Sequence, residues 1–454
     1  MIAKKYTITS QLRRAASITF IIQVVSSVST LIISILLTHW LGPKEFGVYS
    51  YVLALTGLVG TVGALGFPTL LVRQIAAWQG TSNWRLIKGL IIHSSTLTLL
   101  ASSMLGFIVL IIGLRLGKIS RNFGFGIDLM LAIILIIFMI QGQILTSALQ
   151  GLNKVVNSLI PGSLGVPVVF LGCLPLIYWW KGSIDVPMIL SLQIVLAIAF
   201  IMAQVTQLFR ALPPQFFIAP IHVQFPTWLY NAFPFLMNGA LTTINLRADV
   251  FLIGLLKGPT SAGVYNAATR GALVLVLALS AIVTASQPTI ARLYSEGDRP
   301  RLQQLLTITS RFGFIISLIG CIILVAFRRI LLGTLFGPAF TYGGTALAIL
   351  SMARVVNAGT GSLGPFLAMT NQAKVLSFAL AAEAILNVIF NYFLIPEMGI
   401  NGSALATGGS MALVNIIVAI WVYRYSGYDV SFLGFRNRQT CLKYTGESND
   451  NAEN

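Results

Sequence analysis

A chain of 454 residues with 56% hydrophobic and only 9% charged residues is no ordinary soluble domain, which carries about 25% charged residues. The net charge of +17 comes from Lys and Arg in short loops between apolar runs, which excludes a basic nucleic-acid-binding domain. Three scattered cysteines (Cys173, Cys321, Cys441) and three scattered histidines (His39, His93, His222) offer no disulfide framework, metal site or cofactor motif.

Stretches of about 20 apolar residues recur along the whole chain, each long enough to cross a bilayer. Backbone groups must be satisfied inside lipid, so these stretches are read as helices. The alternation of a β-barrel would not give unbroken apolar runs. Lys4, Lys5, Arg13 and Arg14 precede a run reaching Trp40, too long for a cleavable signal, so the first helix is expected to remain as an anchor. Twelve spans follow: 17–40, 48–71, 87–113, 127–149, 155–180, 187–209, 229–256, 264–289, 304–327, 340–367, 374–396 and 402–424. The fifth is broken by Pro161, Gly165 and Pro167, the tenth by Gly359, Gly361, Gly364 and Pro365. Such breaks suit helices bent around a cavity, although Gly and Pro are also common in membrane helices generally. Trp78, Trp84, Trp179, Trp180 and Trp228 fall near span ends, where an interfacial belt would place them.

With both termini in the cytoplasm, 18 of the 29 Lys and Arg residues lie on that side and 8 on the other. The expected organisation is a lobe of six helices over 1–209, a cytoplasmic linker over 210–228, a second six-helix lobe over 229–425, and a polar, disordered cytoplasmic tail over 426–454. Phe216, Phe217 and Phe225 are expected to lay the linker along the membrane surface.

The two lobes are copies. Gly42-Pro-Lys-Glu-Phe-Gly-Val-Tyr49 returns as Gly258-Pro-Thr-Ser-Ala-Gly-Val-Tyr265. In the preceding helix, Gln23, Ser27, Thr30 and Ser34 return as Asn238, Thr242, Asn245 and Asp249. Steps of 4, 3 and 4 residues keep each set on one helix face. Six spans separate equivalent points, so the copies share one orientation, a parallel repeat about an axis normal to the membrane. No loop is long enough for a folded domain, so any chemistry lies within or between helices.

The segments ILLTHWLGPKEFGVYSYVLAL and VFLIGLLKGPTSAGVYNAATR resemble the paired segments of polysaccharide (O-antigen type, Wzx-like) flippases of the multidrug/oligosaccharidyl-lipid/polysaccharide exporter superfamily. The resemblance runs from about Ser10 to Tyr425. It implies an all-α polytopic membrane protein with two six-helix lobes around a central cavity. It also implies a multi-pass protein of a bacterial-type cytoplasmic membrane that turns polyprenyl-diphosphate-linked oligosaccharide to the outer leaflet without being an enzyme. The lipid-linked oligosaccharide and the bilayer are then its partners, with a polysaccharide polymerase and chain-length machinery as further ones.

Ionisable residues inside a membrane are functional candidates by default. Arg247, Asp249, Arg270, Arg354 and Glu383 all lie in spans of the second copy, where the first copy has Leu31, Ser34, Ala54, Leu135 and Ser163. Guanidinium suits phosphate oxygens, so Arg354, Arg270 and Arg247 are the diphosphate candidates. Arg247 lies about 180° around the helix from Asn238 and is turned off the stripe. Asp249 and Glu383 are candidates for ion or proton coupling, and Glu383, Asn387 and Asn391 form a further polar set. The structural alternatives stay open: an Arg354–Glu383 pair inside one lobe, and an Arg270 that snorkels outward. Among competing functions, a cation-coupled multidrug exporter predicts an aromatic, acidic cavity, at odds with the excess of Arg. A membrane polysaccharide polymerase predicts a long outward loop with Arg and His, and no such loop is present.

Overall fold

The computed structural model describes residues 2–119, 126–361, 363–370 and 372–434, and every regular element among them is helical. Nine helices among the described residues are long and apolar enough to cross a membrane. Two of them, Ile21–Gly63 and Ala373–Ser426, run 43 and 54 residues, and the second holds two of the expected spans. The first holds most of 17–40 and the part of 48–71 up to Gly63, the rest of which lies on Phe67–Gly80 beyond a turn at Leu65 and Gly66. The expected eighth span lies on the helix Pro259–Ser295. The chain is thus an all-α polytopic membrane protein, consistent with twelve crossings.

The repeat explains the turns. Gly42 stands at φ 70°, ψ 177° and Gly258 at φ 87°, ψ 171°. A side chain strains at such positive φ, and the proline that follows keeps its predecessor out of the helical region. The first glycine of each copy therefore ends one span, and the proline opens the next.

The second glycine serves a different purpose. A Cβ on Gly47 would strike the Pro259 carbonyl, and one on Gly263 would strike the Pro43 carbonyl and the Gly47 backbone. The two copies meet through their equivalent glycines, which is the signature of a local two-fold. Asn266 Nδ2 donates to Ser50 Oγ at 2.7 Å, again between positions 216 apart. Farther along, Tyr51 stacks on Phe251 at 5.3 Å and the Thr61 and Thr243 hydroxyls meet at 2.8 Å. Lipid is as apolar as a core, so close backbone approach and interhelical hydrogen bonds hold such an interface. Gly47→Ala is therefore expected to cost about 1–3 kcal/mol by overpacking. At Gly60 an added Cβ has a neighbour only at 4.0 Å, so Gly60→Ala is the control. Thermal unfolding in detergent separates the two, and equal losses would remove the packing argument.

The described residues pack as two units. One comprises Met1–Gly271, Phe327–Leu347 and Ala384–Thr407, the other Ala272–Ala326, Ala348–Glu383 and Gly408–Asn454. In the first unit, the broken fifth span passes through a π-helical turn, Ile160–Gly165. Gln204 Nε2 donates at 2.8 Å to the Ser158 carbonyl beside that turn, so protein satisfies the backbone there. The linker is tied to the third span, because Lys88 Nζ donates to the Phe217 and Ala219 carbonyls at 2.9 and 3.0 Å. Trp228 departs from the expected belt. It is 1% exposed, packed over Gly89, whereas Trp179 and Trp180 are 88% and 85% exposed. The missing side chain at Gly89 makes the room that draws this indole inside.

In the second unit, the tenth span breaks between Gly344–Gly359 and Leu363–Met369. The segment 427–434, expected to begin a disordered tail, instead straps this break. Phe432 N donates to the Gly359 carbonyl at 3.0 Å, and the Phe432 ring stacks on Phe314 at 4.2 Å. Ser310 Oγ donates to the Val430 carbonyl at 2.7 Å, and Arg311 Nε donates to that of Phe432 at 3.0 Å. Gln303 closes the set, donating to the Asp429 carbonyl and accepting from its N–H. The carbonyl freed at the break thus finds a protein donor, as lipid would offer none. The remainder of the expected tail, 435–454, lies outside the described residues, as does Cys441.

Candidate functional site

The polar stripes grade from open to buried. On the first span, Gln23 is exposed, Ser27 and Thr30 are half-buried, and Ser34 is buried. On the seventh, Asn238 and Asn245 are half-buried, Thr242 is exposed, and Asp249 is 5% exposed. Most of the hydroxyls bond back along their own helix: Ser27 Oγ to the Gln23 carbonyl, Thr30 Oγ1 to Ser26, Ser34 Oγ to Thr30, and Thr242 Oγ1 to Asn238. Such bonds satisfy the hydroxyl without spending a neighbour's donor.

Asp249 is different, because one of its partners comes from another helix. Its Oδ2 accepts from the Tyr265 hydroxyl at 2.8 Å, and its Oδ1 accepts from Val250 N at 2.8 Å. The Tyr265 hydroxyl lies 3.4 Å from Thr407 Oγ1. Asn387 Nδ2 donates to that same threonine oxygen at 3.1 Å. Asn391 Nδ2 donates to Asn387 Oδ1 at 3.1 Å, and Asn391 Oδ1 accepts from Ser403 Oγ at 2.6 Å. One carboxylate thus sits at the end of a chain of neutral oxygens and amides drawn from spans seven, eight, eleven and twelve. Tyr265, Ser403 and Thr407 were not singled out from the sequence as members of a site.

Tyr49, the first-copy equivalent of Tyr265, has another partner. Its hydroxyl accepts from Gln193 Nε2 at 2.8 Å, which leaves its own proton to be donated. The charges of Arg270 and Arg247 both reach this buried tyrosine, and Arg247 also acts on Arg270 and on Asp249. The stem of Arg247 and its Nε lie 3.6 Å from where a Cβ on Gly57 would stand, so it faces the first copy's second span. Among the described residues, neither Arg247 nor Arg270 forms an ion pair of the kind that joins Arg292 to Glu296 and Arg301 to Asp298. Among the described residues the first unit therefore holds two guanidiniums with a tyrosine hydroxyl in range and no carboxylate in direct contact, Asp249 acting on Arg247 from farther off. Tyr49 and Gln193 complete this group and were not identified as site residues from the sequence.

Arg354 and Glu383 fall in the second unit. Arg354 Nη1 donates to Met411 Sδ at 3.6 Å, and its charge acts on Glu383. Glu383 lines a cavity of about 270 Å³ beside the break in span ten. The set Glu383, Asn387 and Asn391 is accordingly divided, its first member going to this cavity and the other two to Asp249.

This architecture has known relatives. A family model described as "Polysaccharide biosynthesis protein" matches residues 12–294, and the MatE model matches 234–393. A probable low-salt glycan biosynthesis flippase, Agl15, of Haloferax volcanii is 24% identical over 171 residues, 38% of this chain. That match spans 36% of the relative's own length. Among solved structures, an inward-facing multidrug resistance MATE family transporter of the MOP superfamily superposes with a TM-score of 0.70 at 13% identity, covering 88% of this chain and 95% of that one. The lipid II flippase MurJ in an inward closed conformation follows with a TM-score of 0.69 at 14% identity, covering 90% and 87%. The structures establish the fold, and the family model, which spans more than half of the residues, establishes that this chain belongs to the polysaccharide biosynthesis protein family.

Proposed function

We propose that this chain moves a polyprenyl-diphosphate-linked oligosaccharide across the cytoplasmic membrane by alternating access and performs no covalent chemistry. The observation that carries the reading is that two arginines of the spans, Arg247 and Arg270, lie in one unit and neither is in an ion pair among the described residues. Two like charges held near one another inside a membrane protein cost free energy unless an anion joins them. A diphosphate offers that anion, with oxygens for both planar forks and for the Tyr49 proton. Membership of a polysaccharide biosynthesis family and the likeness to a glycan flippase support a lipid-linked glycan as the rest of the substrate.

Coupling is assigned to Asp249. It is a buried carboxylate whose neighbours are oxygens and amides that exchange partners readily, so it can take up a proton or a monovalent cation. The reading keeps two six-helix lobes, 1–209 and 229–425, joined by the 210–228 linker and related by the repeat, with both termini cytoplasmic. Reporter fusions after Arg14 and after Tyr425 test the topology, and outward labelling of either would break it. A polymerase or chain-length partner would meet the transporter downstream, where the glycan emerges.

The experiment for the function itself uses the purified chain in liposomes with a fluorescent polyprenyl-diphosphate sugar. Flipping that is lost in Arg270→Gln is expected. Export of cationic drugs without movement of the lipid would instead establish the multidrug reading that the MATE likeness keeps in view.

A further inference from the structure

We infer that the cavity in the second unit is a subsite for one sugar ring of the substrate, an inference that rests on the glycan-lipid reading above. The cavity is bordered by Asn357, Thr360, Glu383 and Asn415, with Pro365 and Leu376 among its apolar walls. At about 270 Å³ it has room for about nine waters at ~30 Å³ each, space that a single six-membered ring with its hydroxyls would take over.

The polar lining selects the ligand class. Among the described residues, neither Glu383 nor Asn415 has a side-chain hydrogen bond or ion pair of its own, although both lie in helices that cross the membrane. Asn357 Nδ2 donates to a methionine sulfur, a weak acceptor, Met411 Sδ at 3.3 Å. Thr360 Oγ1 donates to the Asn357 carbonyl at 2.8 Å, which leaves its lone pairs to accept. The wall thus presents one carboxylate that only accepts, two carboxamides that do both, and one hydroxyl acceptor. A ring of vicinal hydroxyls, each donor and acceptor at once, answers that mixture.

Other ligands answer it less well. A phosphate would face the Glu383 carboxylate. A lipid tail would leave four polar groups without partners. A bare cation would meet the charge of Arg354, which acts on Glu383. A drug cation would look for aromatic walls, and among the described residues no aromatic side chain lines the cavity.

The cavity also has a means of keeping its shape. It begins at the break in span ten, and the 427–434 strap holds that break through the Gly359 carbonyl and through Val430, whose carbonyl lies against Gly361. Three helices and the strap therefore fix the positions of the polar wall. A site that must hold hydroxyls at set distances needs such support.

The test uses the full chain in phosphatidylethanolamine–phosphatidylglycerol nanodiscs. Two probes are compared: undecaprenyl diphosphate, and the same lipid carrying one hexose or N-acetylhexosamine from a panel of four. The readout is the ratio of affinities, glycosylated over bare. Asn415→Leu removes a polar partner, and Ala379→Phe fills the cavity without removing one. Each is expected to lower the ratio about tenfold, the consequence of leaving a buried polar group unmade or of losing the space. Arg270→Gln is expected to weaken both lipids together and leave the ratio unchanged. If Asn415→Leu fails to reach the membrane, Ala379→Phe and Glu383→Gln carry the same readout.

A wild-type protein that binds the diphosphate lipids with no preference for any sugar overturns the subsite. So does a ratio that survives Ala379→Phe. Glu383→Gln that abolishes transport of every lipid while leaving the ratio intact would make Glu383 a proton carrier and also overturn it. Failure of the wild type to bind any diphosphate lipid would instead sink the underlying functional reading, which keeps the two failures apart.

Discussion

Asp249→Asn is expected to lower transport on the order of 10–100-fold while membrane abundance stays within about twofold. A hydrogen bond to a charged group is worth about 1.5–3 kcal/mol, and about 1.36 kcal/mol is a factor of ten. The amide oxygen of Asn still accepts from the Tyr265 hydroxyl, now 2.8 Å from Oδ2, so the packing of spans seven and eight persists. What the substitution removes is the negative charge. Asp249→Leu is a different experiment. It strands the Tyr265 hydroxyl in a buried position and is expected to lower abundance as well. Tyr265→Phe falls between, because it keeps the carboxylate and takes away one donor. A purely structural Asp249 predicts another pattern: Asn and Leu would both deplete the protein, and transport per molecule would be normal in what remains. Measuring abundance and flipping on the same membranes distinguishes the two.

The chain made part of this site legible and hid the rest, for geometric reasons. Steps of 4, 3 and 4 residues from Asn238 to Asp249 keep the side chains within about 60° of one another at 100° per residue, so the stripe reads directly as one face. The set Glu383, Asn387 and Asn391 steps by 4 twice and drifts about 80° around its helix. That drift is enough for Glu383 to enter one cavity while Asn387 and Asn391 turn to the Asp249 network. Ser403 and Thr407 gave no signal, since a serine or threonine in a membrane helix commonly bonds to its own backbone. Their roles appear only when spans eleven and twelve fold together at the Gly399 kink.

The repeat was legible for the opposite reason. Gly42 and Gly258 answer a backbone requirement that only glycine meets easily, and Gly47 and Gly263 answer a contact that excludes a side chain. Both constraints act on a single position and survive duplication as letters. The strap was misread because polarity after Tyr425 was averaged over the whole tail. Tyr428, Val430 and Phe432 alternate with polar residues at its start, and all three are in contact with the second unit. Alternation over so few residues is a weak signal, and its partners lie far off in the chain, Ser310 being 120 positions from Val430.

Arg270→Gln and Arg247→Gln are each expected to weaken binding of a polyprenyl diphosphate about tenfold or more, and the sign of their effect on stability is the decisive measurement. An arginine that pairs with a carboxylate leaves that carboxylate stranded when it is removed, and the protein loses stability. Arg247 acts on Arg270 as a like charge, so removing Arg270 relieves repulsion, whereas removing Arg247 also takes away a cation that acts on the buried Asp249. The ligand-free Arg270→Gln protein is therefore expected to unfold at the same temperature as wild type or higher, and the Arg247→Gln protein at a lower one. Binding should fall all the same, because an anion bound between two guanidiniums has lost one of its forks. Arg270→Lys keeps the charge and gives up the planar pair of donors, so it should retain part of the affinity. The double variant Arg247→Gln with Arg270→Gln completes a cycle. Two arginines that hold one diphosphate predict a coupling of about 0.5–3 kcal/mol between the single losses. Two arginines with separate duties predict additive losses, and an arginine that only snorkels to the lipid headgroups predicts none. Lower stability in Arg270→Gln, with lipid binding intact in both single variants, would return both side chains to a structural role and take the diphosphate site with them.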